Sequence, residues 1–510
     1  MATNQLKAGA VLSYVVLGAS NLVGLFYTPY MLRMMGKSEY GLYALVASVI
    51  AYLTIMDFGF GNAIIRYTAK LKAEGKVQEQ YSMFGLFVLL YSAIGIISFV
   101  IGLSLYYNVD HLFGNTMSDN ELEKAKIMML LMVFNIAFTF PLSIFGSIIT
   151  AYEDFVFQKI VVLFRIVLNT VIMILLLEMG YKAIGMVILA TVLNILTLII
   201  NFWYCKKKLK IRITFTNMNV GLLKEVSTYS FYIFLNIIMN KVYWSTGQFV
   251  LGIYVGTAAV AVFAIAIQLQ GMYMSFSTAI SGVFLPKVTG MVASNKSKVE
   301  ISDLFIRTGR IQFIILAFIL SGFILFGRQF IILWAGNGYE DTYLITLLFF
   351  VALTIPLVQN LGITILQARN QMEFRSWLYF GMAILSLCAQ IPLTKYYGGI
   401  GAAFGISVAL IIGNVLIMNV YYHKKQFIDI ITFWKQLLGM SIVPTILTSI
   451  AYWLIDQNRM NSWTDLVLGI IGYSAIYLPL FWYISMNSYE RDLFVKPIYS
   501  AVKRIKEKMQ

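Results

Sequence analysis

The sequence predicts an all-α polytopic membrane protein: about fourteen transmembrane helices, arranged as two parallel six-helix lobes plus two C-terminal helices. Three observations predict it. Apolar stretches of spanning length run almost end to end, the first twelve repeat as six and six, and the basic residues collect on one side. Of 510 residues, 60% are hydrophobic and only 12% are charged, with a mean hydropathy of +0.79. A hydrocarbon core about 30 Å thick needs about 20 apolar residues at a rise of about 1.5 Å each. The spans fall near 8–34, 40–65, 81–107, 127–151, 155–178, 184–204, 226–252, 257–285, 311–334, 343–367, 375–395, 400–422, 437–455 and 464–486. The hydrophilic gaps between them are short, which excludes a soluble domain with a separate active site.

The first span begins right after Lys7, is longer than a signal-peptide core and has no small-residue cleavage site behind it, so it reads as a retained helix. The second carries Asp57 within its apolar run. The third and fourth flank an acidic loop, 108–126, which reads as a solvated face rather than a cation site. Pro141 in the fourth span and Pro356 in the tenth each remove a backbone hydrogen bond and should bend their helices, as hinges or as tolerated kinks. In the fifth, Arg165 and Asn169 share a face. In the seventh, Trp244, Ser245 and Gln248 follow Lys241 at i+3, i+4 and i+7 and form one polar stripe. Gly401, Gly405, Ala409 and Gly413 give the twelfth a small-residue ridge for close packing.

The halves repeat. Met35-Gly36 corresponds to Val255-Gly256 at an offset of 220, Pro141-Leu142 to Pro356-Leu357 at 215, and Ile184-Gly185 to Ile400-Gly401 at 216. Trp203-Tyr204-Cys205-Lys206-Lys207 corresponds to Tyr421-Tyr422-His423-Lys424-Lys425 at 218. The lobes then occupy 1–218 and 219–425, while 426–510 holds two extra helices and a basic cytoplasmic tail. Six is even, so both lobes enter from the same side and the repeats are parallel. A cleft between two such bundles, opened alternately to either side by rocking, is the expected transport path.

Net charge is +15, but its distribution argues against nucleic acid as a partner. With the N-terminus cytoplasmic, cytoplasmic segments hold 28 Lys/Arg, the opposite side eight, and span interiors two. That bias places both termini in the cytoplasm, and the basic runs at 206–208 and 503–508 would face the anionic lipids of a plasma membrane. Two cysteines, Cys205 and Cys388, make no disulfide framework, and His111 and His423 lie in separate loops, so no metal site or cofactor is expected. Walker A is absent. The chain reads as a transporter and not an enzyme.

Three ionisable residues lie well inside spans: Asp57, Arg165 and Lys241. Each costs about 2.5–3.5 kcal/mol at the bilayer centre, which makes a functional, cavity-facing position the default. None has a charged counterpart in the other half. Asp57 either pairs with Arg165 or Lys241, or binds a proton or sodium ion that drives the cycle. The trio carries a net charge of +1, leaving a cation to meet an anion; Arg suits phosphate through its planar fork and Lys as a point charge. Asn21, Gly24 and Thr28 add a stripe on the first helix. With Asn169, Trp244, Ser245 and Gln248 they form a candidate lining for hydroxyl-rich cargo, the alternative for most single Asn or Gln being interhelical packing.

Tyr27-Thr28-Pro29-Tyr30-Met31-Leu32, Gly36-Lys37-Ser38-Glu39-Tyr40-Gly41-Leu42-Tyr43 and Asp57-Phe58-Gly59-Phe60-Gly61 resemble the N-terminal signature of bacterial polysaccharide-biosynthesis flippases of the Wzx type. These belong to the multidrug/oligosaccharidyl-lipid/polysaccharide exporter superfamily. The resemblance extends over the six-plus-six-plus-two layout and is strongest in the first 75 residues. It implies a flippase that moves undecaprenyl-diphosphate-linked oligosaccharide to the outer leaflet for O-antigen, capsule or exopolysaccharide assembly. It further implies the inner membrane of a bacterium, with a polysaccharide polymerase and chain-length machinery as candidate partners. Arg165 and Lys241 would then meet the diphosphate. A lipid II flippase and a cation-coupled multidrug exporter are the alternatives within the superfamily. A membrane glycan polymerase or ligase, from another class, would carry a larger outer loop than the 19 residues of 108–126.

Overall fold

Long apolar runs of this kind satisfy every backbone polar group internally only as helices, and helices are what the computed structural model contains. It describes residues 2–216, 218, 221–294, 296–455 and 460–496. In order, the α-helices are α1 Ala2–Met35, α2 Lys37–Leu53, α3 Phe60–Ala73, α4 Val77–Tyr107, α5 Val109–Phe113, α6 Asp119–Ala151, α7 Phe155–Glu178, α8 Ala183–Lys207 and α9 Gly221–Tyr254. There follow α10 Thr257–Ala293, α11 Lys298–Ala335, α12 Asp341–Val358, α13 Leu361–Ala368, α14 Glu373–Ile411, α15 Asn419–Lys424, α16 Ile430–Leu454 and α17 Trp463–Leu480.

Among the described residues, twelve helical stretches are long and apolar enough to cross a membrane. One of them, Glu373–Lys424, has 52 residues and would be about 78 Å long if straight. It is broken at Gly398, whose φ of 57° and ψ of −138° are not helical, so it supplies two spans, as predicted on either side of that glycine. α9 has the length of a span at 34 residues but is more polar, carrying Asn236, Asn240 and Lys241. Counting both gives the fourteen crossings. Arg459 and the basic tail 497–510, which enter the charge asymmetry, lie outside the described residues.

The chain forms two compact units, Met1–Gln268 with Glu373–Ala409, and Leu269–Met372 with Leu410–Gln510. In the first, α3, α4, α6 and α8 share an aromatic core that includes Phe60, Phe84, Phe87, Tyr91, Phe140 and Phe145. Close backbone approach shapes two helix contacts. A Cβ at Gly41 of α2 would lie 1.8 Å from the Thr257 carbonyl oxygen on α10, so only glycine fits there. Pro141 cannot donate to the carbonyl of Ala137, four residues earlier. Gly95 of α4 sits against that same oxygen, 2.7 Å from where its Cβ would be. α6 stays helical through the proline.

Two acids of the 108–126 segment, Glu121 and Asp110, are held by capping and an ion pair. Ser118 and Glu121 form a capping box. The same Glu121 accepts from Ser38 at 2.5 Å and Thr257 at 2.8 Å. Lys126 pairs with Asp110 at 2.5 Å and Lys124 with Glu39.

In the second unit α16 and α17 pack on α11 through Leu325, Phe326, Met440, Val443, Leu466, Tyr473, Tyr477 and Phe481. Below this core Arg310 of α11 meets Glu490, in a helix over 488–496, in a bidentate pair at 2.5 and 3.0 Å. Both residues are buried. α12 stops at Val358, two residues past Pro356, and α13 restarts at Leu361. Ser277 of α10 and Gln312 of α11 fasten this break: Ser277 donates to the Leu357 carbonyl at 2.7 Å, and Gln312 donates to Ser277 Oγ at 3.0 Å. Of the two prolines, only Pro356 adjoins an interrupted helix.

Candidate functional site

α7 shows how the sequence turns one polar face inward. Phe164, Val167, Val171 and Leu175 recur at helical spacing and are all more than half exposed, a stripe suited to lipid. Arg165 and Asn169 face away from it and are half-buried. Arg165 Nη1 donates to Asn194 Oδ1 of α8 at 3.4 Å. Asn194 in turn donates to Asn135 Oδ1 and Thr139 Oγ1 of α6, both at 2.8 Å. The guanidinium therefore rests on neutral amides and hydroxyls.

On α9, Tyr243, Thr246, Gly247 and Val250 turn into the unit. Thr246 is hydrogen-bonded to Tyr52 of α2, and Gly247 lies against the Phe263 ring. The predicted stripe of Lys241, Trp244, Ser245 and Gln248 is left half-buried along the flank. Lys241 Nζ has no ion-pair or hydrogen-bond partner among the described residues. On α1, the stripe through Asn21, Gly24 and Thr28 meets Gln268 of α10, which donates to Thr28 Oγ1 at 2.8 Å and to the Gly24 carbonyl at 3.1 Å.

Asp57 ends a four-residue 3-10 turn, Thr54–Asp57, that interrupts the second span. Phe58 and Gly59 follow in the left-handed region at φ 49° and 75° before α3 begins. A phenylalanine there is strained, and the strain persists only where surrounding bonds impose it. The Asp57 carboxylate supplies those bonds. It accepts from the backbone N–H groups of Gly59 and Gly61, and from the Tyr91 hydroxyl of α4 at 2.7 Å. Neither Arg165 nor Lys241 reaches it.

The predicted trio is thus three separate environments within one unit: a capped carboxylate, a guanidinium on amides, and a bare ammonium. All the proposed site residues except Pro356 belong to that unit. Sequence reasoning missed Tyr91, the partner of Asp57, which lies 34 residues away on another helix. The repeat offset is only a loose signal, because the tyrosine falls one residue outside the 215–220 range that the halves share. Asp57 and Tyr91 correspond at 220 and 221 to Ser277 and Gln312, and each pair is hydrogen-bonded across two helices. No group of three or more His, Cys, Asp or Glu that could hold a metal occurs among the described residues.

Comparison with known proteins follows the same lines. A family model described as polysaccharide biosynthesis protein matches residues 6–292, which contain the resembling N-terminal segments and every candidate residue but Pro356. No curated protein sequence matches the chain. Among solved structures it is similar to the lipid II flippase MurJ in an inward closed conformation, with 16% identity and a TM-score of 0.70, covering 95% of this chain and 99% of that one. It is also similar to an inward-facing multidrug resistance MATE family transporter of the MOP superfamily, at 15% identity and a TM-score of 0.63, covering 84% of this chain and 99% of that one. The Vibrio cholerae MATE transporter VcmN in its bent form matches at 14% identity and a TM-score of 0.55, covering 84% of this chain and 98% of that one. At these identities the likeness is one of fold. The chain is a multi-pass membrane protein that belongs to the polysaccharide biosynthesis protein family and has the fold of the MurJ and MATE transporters.

Proposed function

We propose that the protein is a flippase for undecaprenyl-diphosphate-linked oligosaccharide, working by alternating access of two six-helix lobes, 1–218 and 219–425. The observation that carries this reading is that Arg165 and Lys241 have no carboxylate partner among the described residues, in a chain of the polysaccharide biosynthesis family. Carrying a diphosphate bare through hydrocarbon costs several kcal/mol or more per charge, so the path must replace lost hydration with cations and dipoles. Arg165 and Lys241 would take the phosphates. Asn21, Thr28, Asn169, Trp244, Ser245 and Gln248 would take sugar hydroxyls, and the prenyl chain would stay in lipid. With the cytoplasm negative, outward movement of the anion gains about 2.3 kcal/mol per charge per 100 mV.

Two features weigh against a multidrug exporter. Lys241 and Arg165 suit an anion, and the MATE likenesses leave about one sixth of this chain uncovered, the size of the segment 426–510. The MurJ likeness covers 95% and supports a lipid-linked cargo, with lipid II as the second candidate.

Lys241→Gln should lower translocation of a diphosphate-linked glycan in proteoliposomes at least tenfold, while Lys241→Arg keeps most of it. Equal rates for the two variants would remove the phosphate role from Lys241. A wild-type protein that moves lipid II but no other lipid-linked glycan would favour the second candidate.

Both termini are proposed to be cytoplasmic. In a background lacking Cys388, single cysteines replacing the exposed Asn115 and Asn337 should react with an impermeant maleimide in intact cells. One replacing Glu74 should react only after lysis. Labelling of position 74 from outside would invert the orientation.

A further inference from the structure

The cations held away from bulk water differ in how their charge is met. Arg310 has Glu490, and Arg165 has a chain of amides. Arg375, near the start of α14, rests on one amide and one aromatic ring. It is 8% exposed, and no carboxylate pairs with it among the described residues. Nη1 donates to Asn236 Oδ1 of α9 at 3.1 Å, and the guanidinium lies over the Tyr379 ring at 4.3 Å from the centroid. Nε is buried with no acceptor. The neighbouring acid, Glu373, is taken by the Tyr232 hydroxyl. Asn236 cannot turn to serve Nε, because its own Nδ2 is fixed by the Tyr232 carbonyl at 2.7 Å and by Ser376 Oγ at 3.1 Å.

A dehydrated cation whose Nε has no acceptor is costly to keep, and Nε shares an edge with Nη2. That edge is the planar fork that grips one phosphate through two parallel N–H···O bonds. Along α9, Lys241 follows Asn236 by five residues, about 7.5 Å of helix rise. Five residues are also about 140° of rotation, so Lys241 points to a different side of α9 from Asn236.

We propose that Arg375, oriented by Asn236, is a phosphate-binding residue that captures the substrate's diphosphate at the end of the α9–α14 seam. This rests on the flippase reading above. It differs from a packing role in a way that can be measured, because a packing residue would change stability without changing the response to a diphosphate.

The test uses purified full-length protein, with thermal unfolding followed at increasing undecaprenyl diphosphate and, as a control, undecaprenol. Wild type should be stabilised by the diphosphate only. Arg375→Met should need at least tenfold more diphosphate than wild type for the same rise in unfolding temperature over its own lipid-free value. Arg375→Lys and Asn236→Ala, which keep the charge but spoil its fork, should each need at least threefold more, and they decide the matter if the Met variant does not fold. Unchanged affinity in these variants, while Lys241→Gln loses it, overturns the role of Arg375 and leaves the flippase reading standing. A wild-type protein indifferent to the diphosphate overturns both.

Discussion

Glu490→Ala should cost about 3–5 kcal/mol, because it leaves the Arg310 guanidinium buried without its counter-ion. The pair is the best-formed ion contact in the second unit. Arg310 donates to both carboxylate oxygens, and Nη2 adds the Ser485 carbonyl at 3.2 Å. Glu490 also closes the first turn of its own helix, accepting from Asn487 N–H at 2.9 Å while its N–H donates to Asn487 Oδ1 at 2.9 Å. One side chain thus joins the end of the C-terminal helices to α11. Arg310→Met alone should be similarly damaging, whereas Arg310→Met with Glu490→Leu should recover most of the loss, since apolar side chains can replace a buried pair. Unfolding temperature in detergent and abundance in the membrane both read this out. A double variant no better than either single one would mean that packing at this point, and not charge balance, holds the helices.

Neither Arg310 nor Glu490 stood out in the sequence, for a physical reason. Both lie at the margins of apolar runs, where charges ordinarily mark the water interface, and they are 180 residues apart. Span edges reveal depth but not which way a side chain turns. The spans themselves were legible because the bilayer imposes one length on all of them. The Lys241 stripe was legible because i, i+3, i+4 and i+7 coincide on a helix whatever surrounds it. The break inside the second span was half visible: Asp57-Phe58-Gly59 is a poor helical run, yet the left-handed pair at Phe58 and Gly59 depends on a tyrosine from α4 that periodicity cannot supply. The charges behaved likewise. Depth alone allowed an Asp57 bridge to Arg165 or Lys241, but helix rotation sends each to different neighbours.

Those neighbours make Asp57 the position where a small change should separate two roles. Asp57→Ala strands the buried Tyr91 hydroxyl and the N–H groups of Gly59 and Gly61, each costing about 1–3 kcal/mol when left without an acceptor. The 3-10 turn and the left-handed Phe58 should then be lost, with most of the protein. Asp57→Asn keeps one acceptor oxygen and gives up only the charge-assisted part of the bonds, about 1 kcal/mol. Its abundance should stay near wild type. Neutralising Arg165 or Lys241 as well should bring no recovery, because neither cation touches the carboxylate. If the carboxylate is chiefly the anchor of this helix break, Asp57→Asn should also flip its substrate with the same response to pH and sodium as the parent. The proteoliposome assay decides between anchor and ion site. An abundant Asp57→Asn protein whose flipping no longer responds to pH or sodium would make Asp57 the coupling-ion site, with the Tyr91 hydroxyl as the donor that the carboxylate releases when the ion binds.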